Sequence, residues 1–264
     1  MVRGFCGTNS ADADPAASLR VNPLFPIIAL HQILHSPVQD RHDILRQLVD
    51  VSHRLSERRF VAATDGNVSA RLPSGTVLIT PSGINKGRVS EADIVEVRMD
   101  GSPVIPGRRP STELDLHLFI YERRPEIGAV IHAHPVHATA FAVARIPMTD
   151  AVLPEVIVGL GGIPLAPYAT PSTAEVRASL EPFVKRAHAV LLANHGVVTM
   201  GRDLDEAWFR MEKVEQAAEI LFAARALGGE CRLTGAELER LRAISRTSYG
   251  KDLEDGYPCE PESP

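Results

Sequence analysis

The chain has little cysteine: Cys6, Cys231 and Cys259 are far apart and form no C-x-x-C pair. An odd, scattered set of thiols supports neither a disulfide framework nor a thiolate zinc site, and it fits a reducing cytoplasm. Long apolar runs are also missing. The patch from Leu24 to Leu34 is broken by Pro26, carries His31 and is too short to span a bilayer, so no membrane partner is expected. No block of five or six like charges occurs. The formal net charge is -5, with a pI near 6.1, which gives no field for nucleic acid.

What is present is a chain of 264 residues with 44% hydrophobic content, enough for one large core and without a composition break that demands a second domain. The reading is an N-terminal extension over 1–37, one domain over 38–247 and a loose Glu- and Pro-rich tail over 248–264. Helical periodicity marks Asp40 to Phe60, with Ile44, Leu45, Leu48, Val51 and Leu55 on one face. Within Ala63–Arg71 the Asp65-Gly66-Asn67 turn leads into a short alternating strand, and further strands are predicted over Val77–Thr80 and Ile94–Met99. A helix should open at Pro110-Ser111-Thr112-Glu113 with Ser111 or Thr112 as N-cap, Glu113 in its first turn, and Glu113 and His117 as i, i+4 neighbours suited to a hydrogen bond. Val136–Ala144 reads as a short helix and Ala151–Gly162 as a strand segment. Ser172-Thr173-Ala174-Glu175 reads as a capping box. Strands over Ala189–Ala193 and Val197–Met200 flank Asn194-His195-Gly196, and two further helices are capped by Asp203 with Glu206 and Thr234 with Glu237.

The stretch that organises these elements is Val130-Ile131-His132-Ala133-His134-Pro135. The two-residue period of a strand puts His132 and His134 on one face, with Cα atoms about 7 Å apart, so that two imidazoles can converge on one cation. Pro135 ends the pairing and leaves them at an accessible strand end. Alone, His-x-His also describes two histidines that merely alternate in a core. His195, held in a turn between two apolar strands, is placed to reach back across the sheet towards the pair. A second histidine pair, His31 and His35, has the spacing of a zincin helix, but Gln32 stands where the general-base glutamate is required, which excludes that chemistry. The turns Asp65-Gly66-Asn67 and Pro81-Ser82-Gly83 offer backbone N–H groups that suit an anion, although hairpin loops use the same residues. Glu155 is a carboxylate among Val152, Leu153, Val156, Ile157 and Val158, where a charge needs a partner or a shifted pKa.

Gly66-Asn67, Thr80-Pro81-Ser82-Gly83, Ser111-Thr112-Glu113, His132-Ala133-His134, Tyr168-Ala169-Thr170 and Asn194-His195-Gly196 stand in the order found in the class II aldolase and adducin family, which the chain resembles from about Asp40 to Leu227. The resemblance implies an α/β/α three-layer fold with a central, largely antiparallel sheet. It also implies a homotetramer with active sites at subunit interfaces. It implies His132, His134 and His195 as ligands of Zn2+, or of Mn2+ or another divalent ion, with Glu113 as catalytic base and resting fourth ligand. Asn67, Ser82, Gly83, Ser111 and Thr112 would surround a substrate phosphate. The expected activity is aldol cleavage of a ketose 1-phosphate to dihydroxyacetone phosphate and a short aldehyde. Alternatives within the family are a decarboxylase, a sugar-phosphate 4-epimerase, whose relatives tend to carry aspartate where Glu113 stands, and a non-catalytic adducin-like scaffold, which has no use for a metal triad. In one departure, Glu155 aligns with the position where a sugar-phosphate-cleaving member carries a proton-donating tyrosine. Glu155 is therefore a second candidate catalytic residue, as a replacement acid at a subunit interface.

Overall fold

The computed structural model describes residues 40–250, 252–253 and 256–260. The 1–37 extension and the His31/His35 pair lie outside them. Seven strands, β1 (Asn67–Arg71), β2 (Val77–Ile79), β3 (Val95–Val97), β4 (Ala129–Ala133), β5 (Leu165–Ala166), β6 (Ala189–Leu192) and β7 (Gly196–Gly201), form one sheet in the order β3-β2-β1-β4-β7-β6-β5. All neighbours are antiparallel except β5 and β6. The expected largely antiparallel sheet is thus mixed only at one edge.

Helices cover both faces, because both faces of the sheet are apolar. The strands bury Ile131, Ala133, Val68 and Val197 against α1 (Arg41–Glu57), α3 (Val136–Ala144) and α6 (Leu204–Ala226). The opposite face buries Val77, Ile79, Val130 and Val198 against α2 (Leu114–Arg123) and α5 (Glu175–Val184). Leu48, Val51 and Leu55 of α1 are fully buried, and each such side chain contributes about 1.5–3 kcal/mol. The Asp40 carboxylate caps α1 by accepting from the Asp43 N–H, and Asp203 caps α6 by accepting from Glu206. Among the described residues no helix is long and apolar enough to cross a membrane.

Four expectations change. The segment over 151–162 is not a strand: Pro154–Gly159 forms α4, with Leu153 extended before it and Pro154 in its first turn. Proline has no N–H to lose at a helix start, and its fixed φ suits the first turn, so the β-branched run closes into a helix that buries Ile157 beside Leu238 of α7 (Gly235–Ile244). Next, α2 begins at Leu114, so that Glu113 is its N-cap rather than a residue of its first turn, and Ser111 accepts from the Glu113 N–H. The predicted capping box at α5 is absent. Ser172 adopts a left-handed φ of 63°, and Glu175 reaches back to the Thr170 N–H instead. Last, part of the tail is docked: Ala151 donates to Glu260 O and Gly162 to Tyr257 O, both at 2.8 Å, and the Tyr257 ring meets Phe183. Cys259 is a free thiol.

Candidate active site

The histidine strand β4 runs between β1 and β7, in a register that sets His132 opposite Asn67 on one side and Val198 on the other. His134 lies one residue past the strand, and its N–H donates to Phe60 O. His195 occupies the turn between β6 and β7. Asn194 before it holds a left-handed φ of 57°, and its side-chain oxygen accepts from Arg145 Nε at 2.8 Å. Gly196 is required by space. A Cβ there would stand 2.5 Å from both Ala133 O and His134 Cδ2, so a side chain would push the turn off the histidine strand.

These elements bring the three imidazoles together. His132 Nε2 is 3.1 Å from His134 Nε2 and 3.2 Å from His195 Nε2. Two nitrogens bound at about 2.0–2.1 Å to one tetrahedral ion stand about 3.3 Å apart, so the spacing suits a shared cation. The chemistry of the donors agrees. His132 Nδ1 meets Val197 O at 3.0 Å and must donate to it, which leaves Nε2 of the neutral ring with a single lone pair facing two other ring nitrogens. Burial holds the His132 pKa well below the usual imidazole range, with His195 and His134 adding to the effect. Burial and His195 lower that of His134. Neutral rings are the form a divalent ion needs, and these three residues form a group able to hold one.

Glu113 faces the cluster. Its Oε2 is 3.4 Å from His132 Nε2 and its Oε1 is 3.5 Å from His195 Nε2. Asn67 Nδ2 donates to Oε2 at 2.9 Å. The expected Glu113–His117 hydrogen bond does not form. His117 is fully buried and turns instead to Asn67 Oδ1 and to Ser69 Oγ. In front of the cluster lies a cavity of about 330 Å³ lined by His134, His195 and Glu113, and by Asn67, Ser82, Gly83, Ser111 and Thr112, all in the expected set. Ser82 N donates to Arg109 O and Ser111 N to Thr80 O, which ties the two loops into one wall.

Glu155 is not among the lining residues. It is exposed on the first turn of α4, and among the described residues only its backbone oxygen is engaged, by Lys213 Nζ. Lys86 is the residue that sequence reasoning missed. It lines the same cavity at 1% exposure, and its Nζ donates to Thr64 O and Ile84 O at 2.9 Å each. Burial lowers its pKa to about 8, against the pull of Asp65 and Glu113. No periodicity marks Lys86, since it follows a glycine turn within a short polar loop.

A family profile described as the Class II Aldolase and Adducin N-terminal domain matches residues 46–222. The chain belongs to this family. It is 36% identical over 188 residues to methylthioribulose-1-phosphate dehydratase of Acidiphilium cryptum, covering 64% of this chain and 85% of that protein. It is 33% identical over 180 residues to 3-oxo-tetronate 4-phosphate decarboxylase of Pectobacterium atrosepticum, covering 67% and 82%. A solved structure of L-fuculose 1-phosphate aldolase superposes with a TM-score of 0.71 at 32% identity, covering 78% of this chain and 97% of that one. Membership in the class II aldolase family therefore rests on profile, sequence and fold together.

Proposed function

We propose that the protein is a metal-dependent lyase that forms an enolate from a phosphorylated ketose, and that its reaction is aldol cleavage of a ketose 1-phosphate to dihydroxyacetone phosphate and a short aldehyde. The observation that carries this reading is the Glu113 carboxylate lying within 3.5 Å of two of the three converged imidazoles, at the wall of a cavity sized for a small sugar phosphate. His132, His134 and His195 would hold the divalent ion, most simply zinc, which supplies Lewis-acid polarisation of a substrate carbonyl. In cleavage, a base on the aldehyde side of the site takes the hydroxyl proton and the carbon–carbon bond breaks. The bonding pair becomes the enolate, and Glu113 moves the proton at the enolate carbon as general acid and base. Asn67, Ser82, Gly83, Ser111 and Thr112 would bind the phosphate through hydroxyl and N–H donors, with the ammonium of Lys86 behind them. Glu155, exposed on α4, would serve as the acid for the aldehyde oxygen only across a contact between copies of the chain.

A second reading is a dehydratase acting on the same substrate class, favoured by the 36% identity to a ketose-phosphate dehydratase. Both reactions pass through an enolate beside a polarised carbonyl, formed by carbon–carbon cleavage in the aldolase and by removal of a carbon-bound proton in the dehydratase. The test is to offer the zinc-loaded protein fuculose 1-phosphate, methylthioribulose 1-phosphate and 3-oxo-tetronate 4-phosphate. Triose phosphate from the first supports the aldolase, loss of water from the second replaces it with the dehydratase, and carbon dioxide from the third replaces it with a decarboxylase.

A further inference from the structure

A buried chain of polar groups runs from the active-site carboxylate into the core between β1 and α2. Asn67 Nδ2 donates to Glu113 Oε2, His117 Nε2 meets Asn67 Oδ1, His117 Nδ1 meets Ser69 Oγ at 2.7 Å, and Ser69 Oγ meets Tyr121 OH at 2.8 Å. Asn67, Ser69, His117 and Tyr121 are all buried, with His117 and Ser69 at 0% exposure. One ionised carboxylate fixes every proton along this chain. Because the carboxylate only accepts, the Asn67 amide nitrogen must face it, so Oδ1 faces His117. His117 Nε2 must then carry a proton, and the bare Nδ1 of the neutral ring accepts from Ser69. Ser69 has spent its proton, so Tyr121 donates to it. Burial, which lowers the His117 pKa to about 3, keeps the ring neutral.

We propose that His117 is a positioning residue: as the Nε2–H tautomer it locks the Asn67 amide, and through Asn67 it holds Glu113 Oε2 in place. This rests on the reading of Glu113 as the proton-moving group. Glu113 is the N-cap of α2 and has no capping hydrogen bond from its own side chain, so helix geometry alone does not orient its carboxylate. Among the described residues, Oε1 has no hydrogen bond, which makes it the oxygen that exchanges a proton with substrate while Oε2 stays anchored. A proton taken up by Oε1 leaves the whole chain of donors unchanged, because Oε2 remains an acceptor. The amide orientation also turns one Asn67 N–H permanently towards Glu113 and leaves the other to serve substrate.

The test uses the full, zinc-loaded chain in two measurements. Long-range 1H–15N spectra of 15N-histidine protein at pH 7, with His117 assigned by its absence in His117→Gln, should show a neutral ring protonated at Nε2. A ring protonated at Nδ1, or an imidazolium, overturns the proposal. Dihydroxyacetone phosphate in D2O then probes Glu113 without any aldehyde. His117→Phe should lower kcat for deuterium exchange by about a hundredfold, as misplacement of a reacting group does, with KM changed by less than about threefold. His117→Gln, which keeps a donor towards Asn67, should recover at least about tenfold of that loss. A His117→Phe protein that binds zinc and exchanges at the wild-type rate overturns the proposal. If His117→Phe fails to fold, Ser69→Ala replaces it. That change removes only the hydroxyl that donates to Nδ1, so the ring, still held by Asn67, should stay protonated at Nε2, and an Nδ1–H ring in this variant overturns the proposal. If wild-type protein exchanges no deuterium, the reading of Glu113 fails, and the spectra still decide the His117 tautomer independently.

Discussion

An imidazole ligates a metal only as the neutral ring, and His132 and His134 are kept neutral by burial before any ion arrives. The same burial makes stability depend on pH. Histidines unfolded in water titrate near 6.5, whereas His117 is lowered to about 3 in the fold. Above pH 6.5 neither state is protonated and stability is at its full value. Below it the unfolded chain takes up protons that the fold excludes, at a cost of about 1.4 kcal/mol per pH unit for each such ring. The urea midpoint of metal-free protein should therefore fall between pH 6.5 and 5, and His117→Gln should flatten that fall by about one proton; a pH-independent midpoint would count against this account. Glu113→Gln should keep its metal through the three histidines and lose turnover by about a hundredfold or more. Near-normal turnover would remove Glu113 from the chemistry. The triad and Glu113 could be found in the sequence because strand period and motif order expose them. Lys86 and His117 could not, because their roles depend on which backbone oxygens and amides the fold wraps around them.

At the level of elements, close backbone approach holds the site together. Gly196 lets β7 start against β4. In Gly196→Ala the new Cβ would collide with Ala133 O and the His134 ring, and zinc affinity should drop by about ten- to a hundredfold, the range seen when a ligand's supporting contacts are lost. Equilibrium dialysis against a zinc chelator would measure it, and unchanged affinity would show that the turn can yield. Lys86 ties the loop at Thr64 to the loop at Ile84. Lys86→Met removes the charged donor that two loop carbonyls share, at a cost of about 1–3 kcal/mol in a urea titration, and should raise KM for a ketose 1-phosphate more than it lowers kcat. The segment over 151–162 shows where sequence reasoning at this scale gives out. Its β-branched run has no period that separates a buried strand from a short helix, and the packing of Ile157 against Leu238 decides it. The docking of Tyr257 and Glu260 was hidden for the same reason, since their partners are backbone groups about 100 residues earlier in the chain.

At the scale of the whole molecule, Val136 and Val143 of α3 and Phe209 and Phe222 of α6 are each more than half exposed, near the strand that carries the histidines. Such a surface fits association between copies of the chain, as the expected tetramer requires. If Glu155 enters a neighbouring copy's site as an acid, Glu155→Gln should lower turnover by about a hundredfold without changing the sedimentation coefficient. Full activity in that variant would leave Glu155 a solvated residue. All of these readings depend on one cation held by three side chains from two separate parts of the sheet. The most direct test is the metal content of the purified protein by mass spectrometry. The account predicts about one divalent ion per chain in wild type and in Glu113→Gln, and loss of most of it in His195→Ala. An unchanged metal content in His195→Ala would contradict it.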